Sequence, residues 1–514
     1  MEKKIVIQPN LYFDSATLMA LAQKAKRMDS ISEAVAVMAT NANKELLDNV
    51  NLLNDNVVNA TPRDLILAVA GDSREAVMKA MDYLKDGLSG KKIKSNAKAV
   101  EVPNNLLQAL EHEPELNFAV ISVPGQYAAY EARKALEAGL HVMLFSDNVS
   151  QEQEIELKKL AEAKGLLMMG PDCGTAIISG APLAFANVVR PGRIGIVAAA
   201  GTGLQEIFCL IANWGGGISQ AIGAGGRDVN EVVGGIQFLQ GLRALLDDPS
   251  TEVIVLTGKP PAASVEKKIL KLAATAKKPI IVNLLGGNPE QVRAAGCIFA
   301  ANLEEAARLA VENTGITVRQ VGFTPELVEE AVQGMAPEQK WIRGLFTGGT
   351  LCYEALLALG RQIGNVYSNT PISKELALRD NRLSFEHTAL DLGDDEFTKG
   401  RPHPMIEPTI RVERIAAEAQ DPEVAVLLLD VVLGYGTHRE PVDVMADQVR
   451  KAMTVVEGRG GKLVVVASVT GTDADPQNRQ TQVDKLRELG VYVLPSNYQA
   501  VQFAAAVIKK RGRD

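Results

Sequence analysis

The chain is poor in aromatic residues, in basic clusters and in long apolar runs. Aromatic side chains make up 4% of its 514 residues, whereas glycine occurs 44 times. The formal net charge of −8 comes without a concentrated basic stripe, which argues against a nucleic-acid partner. No apolar run is long enough to span a membrane. With 46% hydrophobic and 23% charged residues, the composition is that of a folded globular protein.

Cysteine is also scarce. The four cysteines, Cys173, Cys209, Cys297 and Cys352, are far apart and form no C-x-x-C pair. This spacing predicts reduced thiols, and no His/Cys/Asp spacing suggests a metal site. The amino terminus opens directly into a strand-like run without the apolar core of a signal peptide. We therefore expect a cytoplasmic protein.

Short apolar runs alternate with helical patterns along the whole chain. This alternation predicts an α/β fold made of several doubly wound domains with parallel sheets. Stretches rich in Pro and Gly or in polar residues suggest boundaries near 88–98, 180–192 and 313–340. The chain then divides into four blocks, which span residues 1–95, 96–190, 191–320 and 340–514.

The third and fourth blocks look like loose copies of each other. Each opens with a strand, a Gly-Thr turn and a helix. Each then has a further strand after an Asp-Pro pair, which is Asp248-Pro249 in one block and Asp421-Pro422 in the other. The shared pattern predicts an internal duplication.

The glycine turns of these blocks are candidate anion sites. They comprise Gly201, Thr202 and Gly203 in the third block, and Gly348, Gly349 and Thr350 in the fourth. A glycine turn that leads into a helix presents N–H groups at the positive end of the helix dipole, which favours phosphate or carboxylate. The alternative is that glycine merely permits a tight turn. Neither turn fits the Walker A pattern, and no G-x-G-x-x-G follows the first strand of the second block.

A polar loop in the fourth block holds candidate catalytic residues. Arg401 could clamp a carboxylate or phosphate, and His403 could transfer protons near neutral pH. Asp394 could hold a cation or a substrate amide. His438 is a further candidate because it follows a strand that ends at Asp430, and such loops bind ligands in parallel folds. The alternative is an exposed loop whose charges pair with one another.

Several segments resemble subunits of succinyl-CoA synthetase. Ile121–Pro124 and Gly170–Gly174 resemble the CoA-binding domain of the α-subunit, and Gly192–Val197 resembles the start of its second, flavodoxin-like domain. Gly344–Glu354 and Leu390–Gly393 resemble the carboxy-terminal domain of the β-subunit. The resemblance covers most of residues 100–510 and implies the acyl-CoA synthetase superfamily.

Within that superfamily the sequence is identified as a member of the FdrA family. Met168–Ala176 and Gly400–Ile406 carry this resemblance. It implies a Rossmann-like domain of the CoA-binding type at 96–190 and two flavodoxin-like domains at 191–320 and 340–514. It also implies that CoA is a candidate cofactor, with contacts expected at Pro124, Gly170, Pro171 and Asp172.

The phosphohistidine site of the synthetases is altered in this chain. The segment that carries that histidine resembles Arg293–Cys297, where Ala294 stands at the histidine position. Ala198 and Ala200 replace serines, and Lys259 stands where a glutamate orients the phosphohistidine. No ATP-grasp domain and no glycine loop for the CoA phosphates is recognisable. A complete ATP-dependent synthetase therefore cannot be built from this chain alone.

The FdrA resemblance implies a subunit of a carbamoyltransferase. Family members act with separate partner subunits on oxamate and carbamoyl phosphate in anaerobic purine and allantoin breakdown. We therefore expect a heteromeric, oligomeric enzyme in which the glycine turns hold the phosphate and the polar loop orients the acceptor. Two alternatives remain open. One is an acyl-CoA synthetase of the NDP-forming type, or a CoA-transfer subunit, that borrows a nucleotide-binding partner, and the other is a non-catalytic scaffold.

Overall fold

The chain is divided into two compact units. The computed structural model describes residues 2–9, 11, 13, 15–40, 43–44, 47–48, 50, 52–88, 103, 105–319, 321–399 and 401–512. The first unit comprises Met1–Val102 with Thr398–Pro402, and the second comprises Pro103–Phe397 with His403–Asp514. The polar segment that the sequence predicts as a linker lies outside the described residues, except for Leu88.

The first unit contains a three-stranded antiparallel sheet in the order β1–β3–β2. Its elements are β1 (Glu2–Gln8), α1 (Ser15–Lys26), β2 (Ile31–Met38), α2 (Asp55–Asn59), β3 (Leu65–Gly71) and α3 (Arg74–Leu88). The central strand β3 is buried throughout because its sequence contains no polar side chain. Helix α3 buries one apolar stripe, as its three- and four-residue spacing predicts.

The second unit begins with a three-stranded parallel sheet in the order β4–β5–β6. Its elements are α4 (Leu106–His112), β4 (Phe118–Ile121), α5 (Gly125–Glu137), β5 (His141–Leu144), α6 (Gln151–Lys164) and β6 (Met168–Met169). The predicted βαβαβ order is confirmed. Helix α6 begins with a capping box between Ser150 and Gln153, and it ends at Gly165 in the left-handed conformation.

A seven-stranded sheet follows, in the order β13–β12–β11–β9–β10–β7–β8. Its elements are β7 (Thr175–Ile178), β8 (Ala181–Ala184), β9 (Pro191–Ala199), α7 (Gly201–Asn213), β10 (Ile218–Gly223), α8 (Ile236–Asp247), β11 (Val253–Gly258), α9 (Ala263–Ala273), β12 (Ile280–Leu284), α10 (Pro289–Ala294), β13 (Ile298–Phe299) and α11 (Leu303–Glu312). Strands β9 to β13 are parallel, and the β7–β8 hairpin joins β10 in antiparallel pairing. This hairpin includes part of the stretch predicted as a domain boundary.

The stretch predicted as an irregular connector contains one helix, α12 (Pro325–Val332). Thr324 caps its amino terminus by accepting a hydrogen bond from the Leu327 N–H, and Pro325 occupies the first turn. The sequence therefore contains a local signal for this helix, in its capping threonine and in the proline of its first turn.

The last sheet has five parallel strands in the order β15–β14–β16–β17–β18. Its elements are β14 (Trp341–Phe346), α13 (Gly349–Ile363), a short 3-10 helix (Lys374–Leu376), β15 (Thr388–Asp391), α14 (Asp395–Thr398), α15 (Thr409–Glu418), β16 (Val424–Val432), α16 (Pro441–Glu457), β17 (Val464–Thr470), α17 (Arg479–Glu488), β18 (Tyr492–Leu494) and α18 (Asn497–Arg511).

The two largest sheets share one topology. We call residues 191–312 the first half and residues 341–511 the second half. Counted from the first strand of each half, the parallel strands lie in the order 2-1-3-4-5 in both, which is the flavodoxin-like order. This agreement supports the predicted duplication. One hydrophobic core runs through both halves and includes Phe208, Leu303, Phe346 and Phe503.

The four cysteines are free and buried, as their spacing predicts. Within the described part of the chain, every helix is too short or too polar to cross a membrane. The α/β class predicted from the sequence is confirmed, whereas the exact domain boundaries remain a prediction.

Candidate functional site

The two glycine turns predicted as anion sites lie against each other. They open α7 and α13, and we call residues Gly201–Gly203 with Gly348–Thr350 the helix junction. A Cβ atom placed on Gly348 would lie 2.9 Å from Thr202 Oγ1, and one placed on Gly203 would lie 2.6 Å from Thr350 Cγ2. The threonine of each turn thus covers a glycine of the other turn. A side chain on either glycine would force the two helix starts apart.

The amino terminus of α7 has no side-chain cap. The turn follows the apolar strand end Ala198–Ala199, and the N-cap residue Ala200 makes no side-chain capping hydrogen bond. The first N–H groups of a helix have no partner within the helix. Together with the helix dipole, they form a positively polarised end that suits a phosphate or a carboxylate.

The amino terminus of α13 already holds a carboxylate of the protein. Asp430 is fully buried and accepts hydrogen bonds from the N–H groups of Thr347 and Gly348, each at 2.8 Å. The buried Arg411 donates to the carboxylate and to the backbone oxygen of Asp430. The N–H groups of Thr347 and Gly348 are therefore already bonded within the protein. For this reason the start of α13 has less capacity for an external anion than the start of α7.

Lys259 supplies a positive charge at the junction. It directly follows β11, and its Nζ atom lies 5.7 Å from the centroid of the Tyr353 ring. A cation over an aromatic face is held in place without losing its charge. Lys259 also acts on Asp391, where it opposes the effect of burial on the pKa.

Asp391 is a buried carboxyl group beside the junction. It ends β15 and is 6% exposed. Its Oδ1 atom accepts a hydrogen bond from the Gly393 N–H at 3.0 Å, and its Oδ2 atom faces the Cα of Gly349, where no room remains for a Cβ. Burial raises the pKa of Asp391 to about 6, and Lys259 limits the rise. The group is therefore mainly ionised above that pH.

His403 lies against Gly393, in the loop that follows Asp391, and is half-buried. Its Nε2 atom is close to Gly393, and its Nδ1 atom accepts a hydrogen bond from the Met405 N–H at 3.2 Å. The ring packs 6.2 Å from the ring of Phe185. Burial lowers the pKa of His403 to about 4. The expectation that His403 titrates near neutral pH is therefore wrong, because enclosure disfavours the charged ring; the neutral ring can donate from Nε2.

The other predicted catalytic residues have different positions. The Asp394 carboxylate accepts a hydrogen bond from the Glu396 N–H at 3.2 Å, three residues beyond Asp391. The His438 N–H donates to the Met405 carbonyl at 2.8 Å, which places its loop beside that of His403. Arg401 belongs to the segment that groups with the first unit, and its predicted role stays a prediction.

The sequence did not single out three residues that shape this site. Asp391 is the last residue of β15, and Asp430 lies near the end of the otherwise apolar β16. An acidic residue near the carboxyl end of a parallel strand is a usable signal. Arg411 lies within the ordinary helical pattern of α15 and offers no such signal. For Lys259, the signal in the sequence is its difference from the glutamate of the synthetases.

The residues predicted to contact CoA lie near several carboxylates. Pro124 precedes α5, and Gly170–Asp172 follows β6. The Asp172 side chain reaches solvent, yet enclosure by the surrounding protein and then the charge of Asp147 raise its pKa to about 6. The charges of Asp395 and Glu154 also raise the pKa of Asp172, whereas the charge of Arg227 lowers it.

Three family models match parts of the chain. A model described as CoA-ligase matches residues 345–507, one described as CoA binding domain matches 189–285, and one described as AllF, heavy metal-associated domain matches 1–103. The CoA binding domain match falls on the first half, so the assignment of residues 96–190 to this type stays a proposal.

Known relatives extend these matches. The chain is 44% identical over 500 residues to the uncharacterized protein YahF of Escherichia coli, with 97% of each chain covered. It is 27% identical over 229 residues to subunit alpha 2 of the ADP-forming succinate–CoA ligase of Archaeoglobus fulgidus, which covers 43% of this chain and 77% of that one. Among solved structures, the apo form of a dinucleotide forming acetyl-coenzyme A synthetase 1 from Ca. Korarchaeum cryptofilum has a TM-score of 0.33 at 16% identity, with 81% and 85% of the two chains covered.

The duplicated flavodoxin-like halves and the matched domains define an acyl-CoA synthetase-like protein. Within that class, the chain belongs to the same family as YahF.

The residues present do not fit a heavy metal ion in the domain whose model carries that description. The first 103 residues contain neither cysteine nor histidine. No cluster of metal-ligating side chains occurs among the residues that the structure describes. Thiolate and imidazole are the ligands that soft and borderline metal ions prefer, so such an ion would lack suitable donors here.

The predicted CoA contacts also suit that cofactor poorly. CoA carries several phosphate groups, whereas Asp172 is surrounded by Asp147, Asp395 and Glu154 with Arg227 as the compensating charge. Like charges repel strongly where solvent is partly excluded. A neutral or cationic group would be favoured at this place over a phosphate.

Proposed function

We propose that the chain is a carbamoyltransferase subunit of the FdrA type that works with separate partner subunits in the cytoplasm. Its reaction would move a carbamoyl group between phosphate and oxamate during purine and allantoin breakdown. The observation that carries this proposal is the helix junction, where the uncapped start of α7 meets α13 near Lys259. The match to the model named for AllF supports the allantoin context.

The junction suits a free phosphate group better than a phosphorylated side chain. Ala294 offers no nucleophile, and the two alanines before α7 leave an apolar approach to its N–H groups. Lys259 adds positive charge where a synthetase has a negative one. An anion held by backbone N–H groups and a cation is stabilised without a covalent bond.

The proposed transfer follows from this arrangement. The N–H groups of Gly201–Gly203 and Lys259 hold the phosphate of carbamoyl phosphate, and the neutral His403 ring donates to the carbamoyl oxygen. The amide nitrogen of oxamate attacks the carbamoyl carbon, so a C–N bond forms. The bond from that carbon to the phosphate oxygen breaks, and phosphate leaves with the electron pair. The attacking nitrogen gives up its proton to the departing phosphate, which leaves as hydrogen phosphate. Asp394 and His438 orient the acceptor.

The second candidate is a subunit of an NDP-forming acyl-CoA synthetase. The CoA-ligase and CoA binding domain matches favour it. It would need a partner that binds the nucleotide, and the acidic surroundings of Asp172 weaken it. The third candidate is a scaffold that organises partner enzymes without chemistry of its own.

Phosphorolysis of N-carbamoyl oxamate separates these candidates. The complex of the chain with its natural partner subunits is supplied with radiolabelled phosphate and without CoA. We expect labelled carbamoyl phosphate to form together with oxamate. Lys259→Met should raise the KM for phosphate by about tenfold, because the anion loses a charge-assisted contact.

Lys271→Met is the matched control, because Lys271 is exposed on α9, and it should leave the KM unchanged. Incorporation of the label only when CoA is added would favour the synthetase. Full activity in both Lys259→Met and His403→Ala would leave only the scaffold.

A further inference from the structure

We infer that Asp391 recognises the amino group of the substrate, so that the helix junction selects anions that carry a primary amide next to the charged group. This inference rests on the proposed function and makes its substrate class more specific. It assigns a selecting role to a carboxylate that is separate from the groups holding the phosphate.

The geometry around Asp391 leaves one of its oxygens available. Oδ1 accepts the Gly393 N–H at 3.0 Å. Among the described residues, Oδ2 accepts no hydrogen bond, although Asp391 is 6% exposed. Oδ2 faces the Cα of Gly349 at the start of α13. An ionised carboxylate oxygen that has no donor in the protein can accept a hydrogen bond from a ligand.

The position of this oxygen is rigid. The Asp391 N–H donates to Asn369 Oδ1 at 2.9 Å, and Asn369 Nδ2 donates back to the Asp391 carbonyl at 3.0 Å. Strand β15 also pairs in register with β14, where Asp391 lies opposite Phe346. A selecting group must keep its orientation to distinguish ligands of equal size.

Several charged or titratable groups face Asp391. Lys259 approaches from the loop after β11, Asp430 from β16, and Cys352 from α13. Asp394 lies in the loop that follows Asp391, and His403 packs against Gly393 of the same loop. Since Lys259 is the cation of this set, it keeps Asp391 available as an ionised acceptor while it also attracts the ligand's anionic end.

The chemistry of the two ligand ends then differs. An ionised carboxylate can only accept hydrogen bonds, so it pairs with an NH₂ group and gains nothing from a methyl group of the same size. A site built to accept a hydrogen bond rejects an analogue that lacks the donor, because the polar group is then left unpaired. Burial raises the pKa of Asp391 to about 6, and this value still leaves the acceptor mainly ionised at pH about 7.5.

Calorimetric titration with two stable analogues tests the inference. Phosphonoacetamide and acetonylphosphonate have the same shape and charge, and they differ by NH₂ against CH₃. We expect the complete chain to bind the amide about tenfold more tightly at pH about 7.5, because one charge-assisted hydrogen bond is at stake. Inorganic phosphate serves as the probe for the anion-binding groups alone.

Asp391→Asn should remove the preference and leave the binding of phosphate intact or stronger, because the new amide can keep the Gly393 contact but presents a donor to the ligand. Asp447→Asn, on the exposed surface of α16, is the control that should keep the preference. If Asp391→Asn fails to fold, the wild-type preference should still decline below pH about 6 as Asp391 takes up a proton.

The outcomes are distinct. Equal affinity for the two analogues, with phosphate binding intact, overturns the role of Asp391 and leaves the proposed function standing. Failure of the complete chain to bind phosphate or either analogue overturns the anion site and the proposed function with it. A preference that survives in Asp391→Asn assigns selection to another group and refutes the inference.

Discussion

Two glutamates, one in each half, occupy equivalent positions and join the halves. Glu206 in α7 accepts a hydrogen bond from the Asn497 N–H at 2.9 Å, at the start of α18. Glu354 in α13 accepts one from the Leu303 N–H at 2.8 Å, at the start of α11. Each glutamate thus satisfies an N–H at the start of the last helix in the opposite half. Such contacts remove unpaired donors from a buried interface.

Burial raises the pKa of Glu354 to about 8, so this residue holds a proton at neutral pH. In the unfolded chain its pKa returns to 4.5. The folded state binds this proton more tightly than the unfolded state does. Proton binding therefore stabilises the fold fully at pH values below the unfolded pKa, and this stabilisation declines as the pH rises towards the folded pKa. The charges of Glu206 and Glu304 also raise the pKa of Glu354.

We predict that Glu354→Gln removes this dependence, because an amide imitates the protonated acid. Relative to wild type, the variant should gain at least about 1 kcal/mol of stability between pH about 5 and pH about 8. Urea denaturation at several pH values measures the difference. A constant difference between variant and wild type over that range would show that Glu354 does not hold the proton.

At the scale of elements, the close packing of the helix junction depends on glycine, which has no side chain. Gly348 has φ of −102°, which any residue can adopt, so its requirement for glycine is steric and comes from Thr202. Helix α7 has a second unusual feature, since it is buried on all sides from Gly203 to Ala212. A helix that is enclosed on all sides lies inside the protein, and α7 accordingly contacts both halves.

We predict that Gly348→Ala destabilises the chain by about 1–3 kcal/mol, because the added methyl group collides with Thr202. Gly360→Ala, in the same helix with open space around it, should instead stabilise by about 0.5–1 kcal/mol. Thermal unfolding measures both effects. The double variant Gly348→Ala/Thr202→Gly should recover part of the loss, and no recovery would place the collision elsewhere.

At the scale of the whole second unit, the two halves share a core and form one folding unit. The cluster that contains Phe208 and Leu303 of the first half also contains Phe346 and Phe503 of the second. Burial of apolar surface is the main driving force of folding, so neither half can retain its core without the other.

We predict that a fragment of residues 191–320 lacks a cooperative thermal transition and binds a hydrophobic dye, because separation exposes α7 and α11. Differential scanning calorimetry and dye fluorescence measure this, with the complete chain as reference. A fragment that melts sharply without dye binding would mean that the shared core is dispensable.

The sequence by itself determined the local features of this protein. Apolar runs such as those of β3 and β16 must be buried strands, and the glycine turns must open helices, because these outcomes follow from periodicity and backbone freedom. The duplication was visible for the same reason. The stretches predicted as domain boundaries did not indicate α12 or the β7–β8 hairpin.

Only the tertiary structure decided how these features combine. It brought the glycine turns of the two halves together, enclosed His403 so that its pKa falls to about 4, and placed Asp391 beside Gly349. Contacts between residues far apart in the chain depend on the packing of two sheets around one core, and no local pattern encodes them. The same enclosure sets the pKa values, because the cost of burying a charge depends on every neighbouring group.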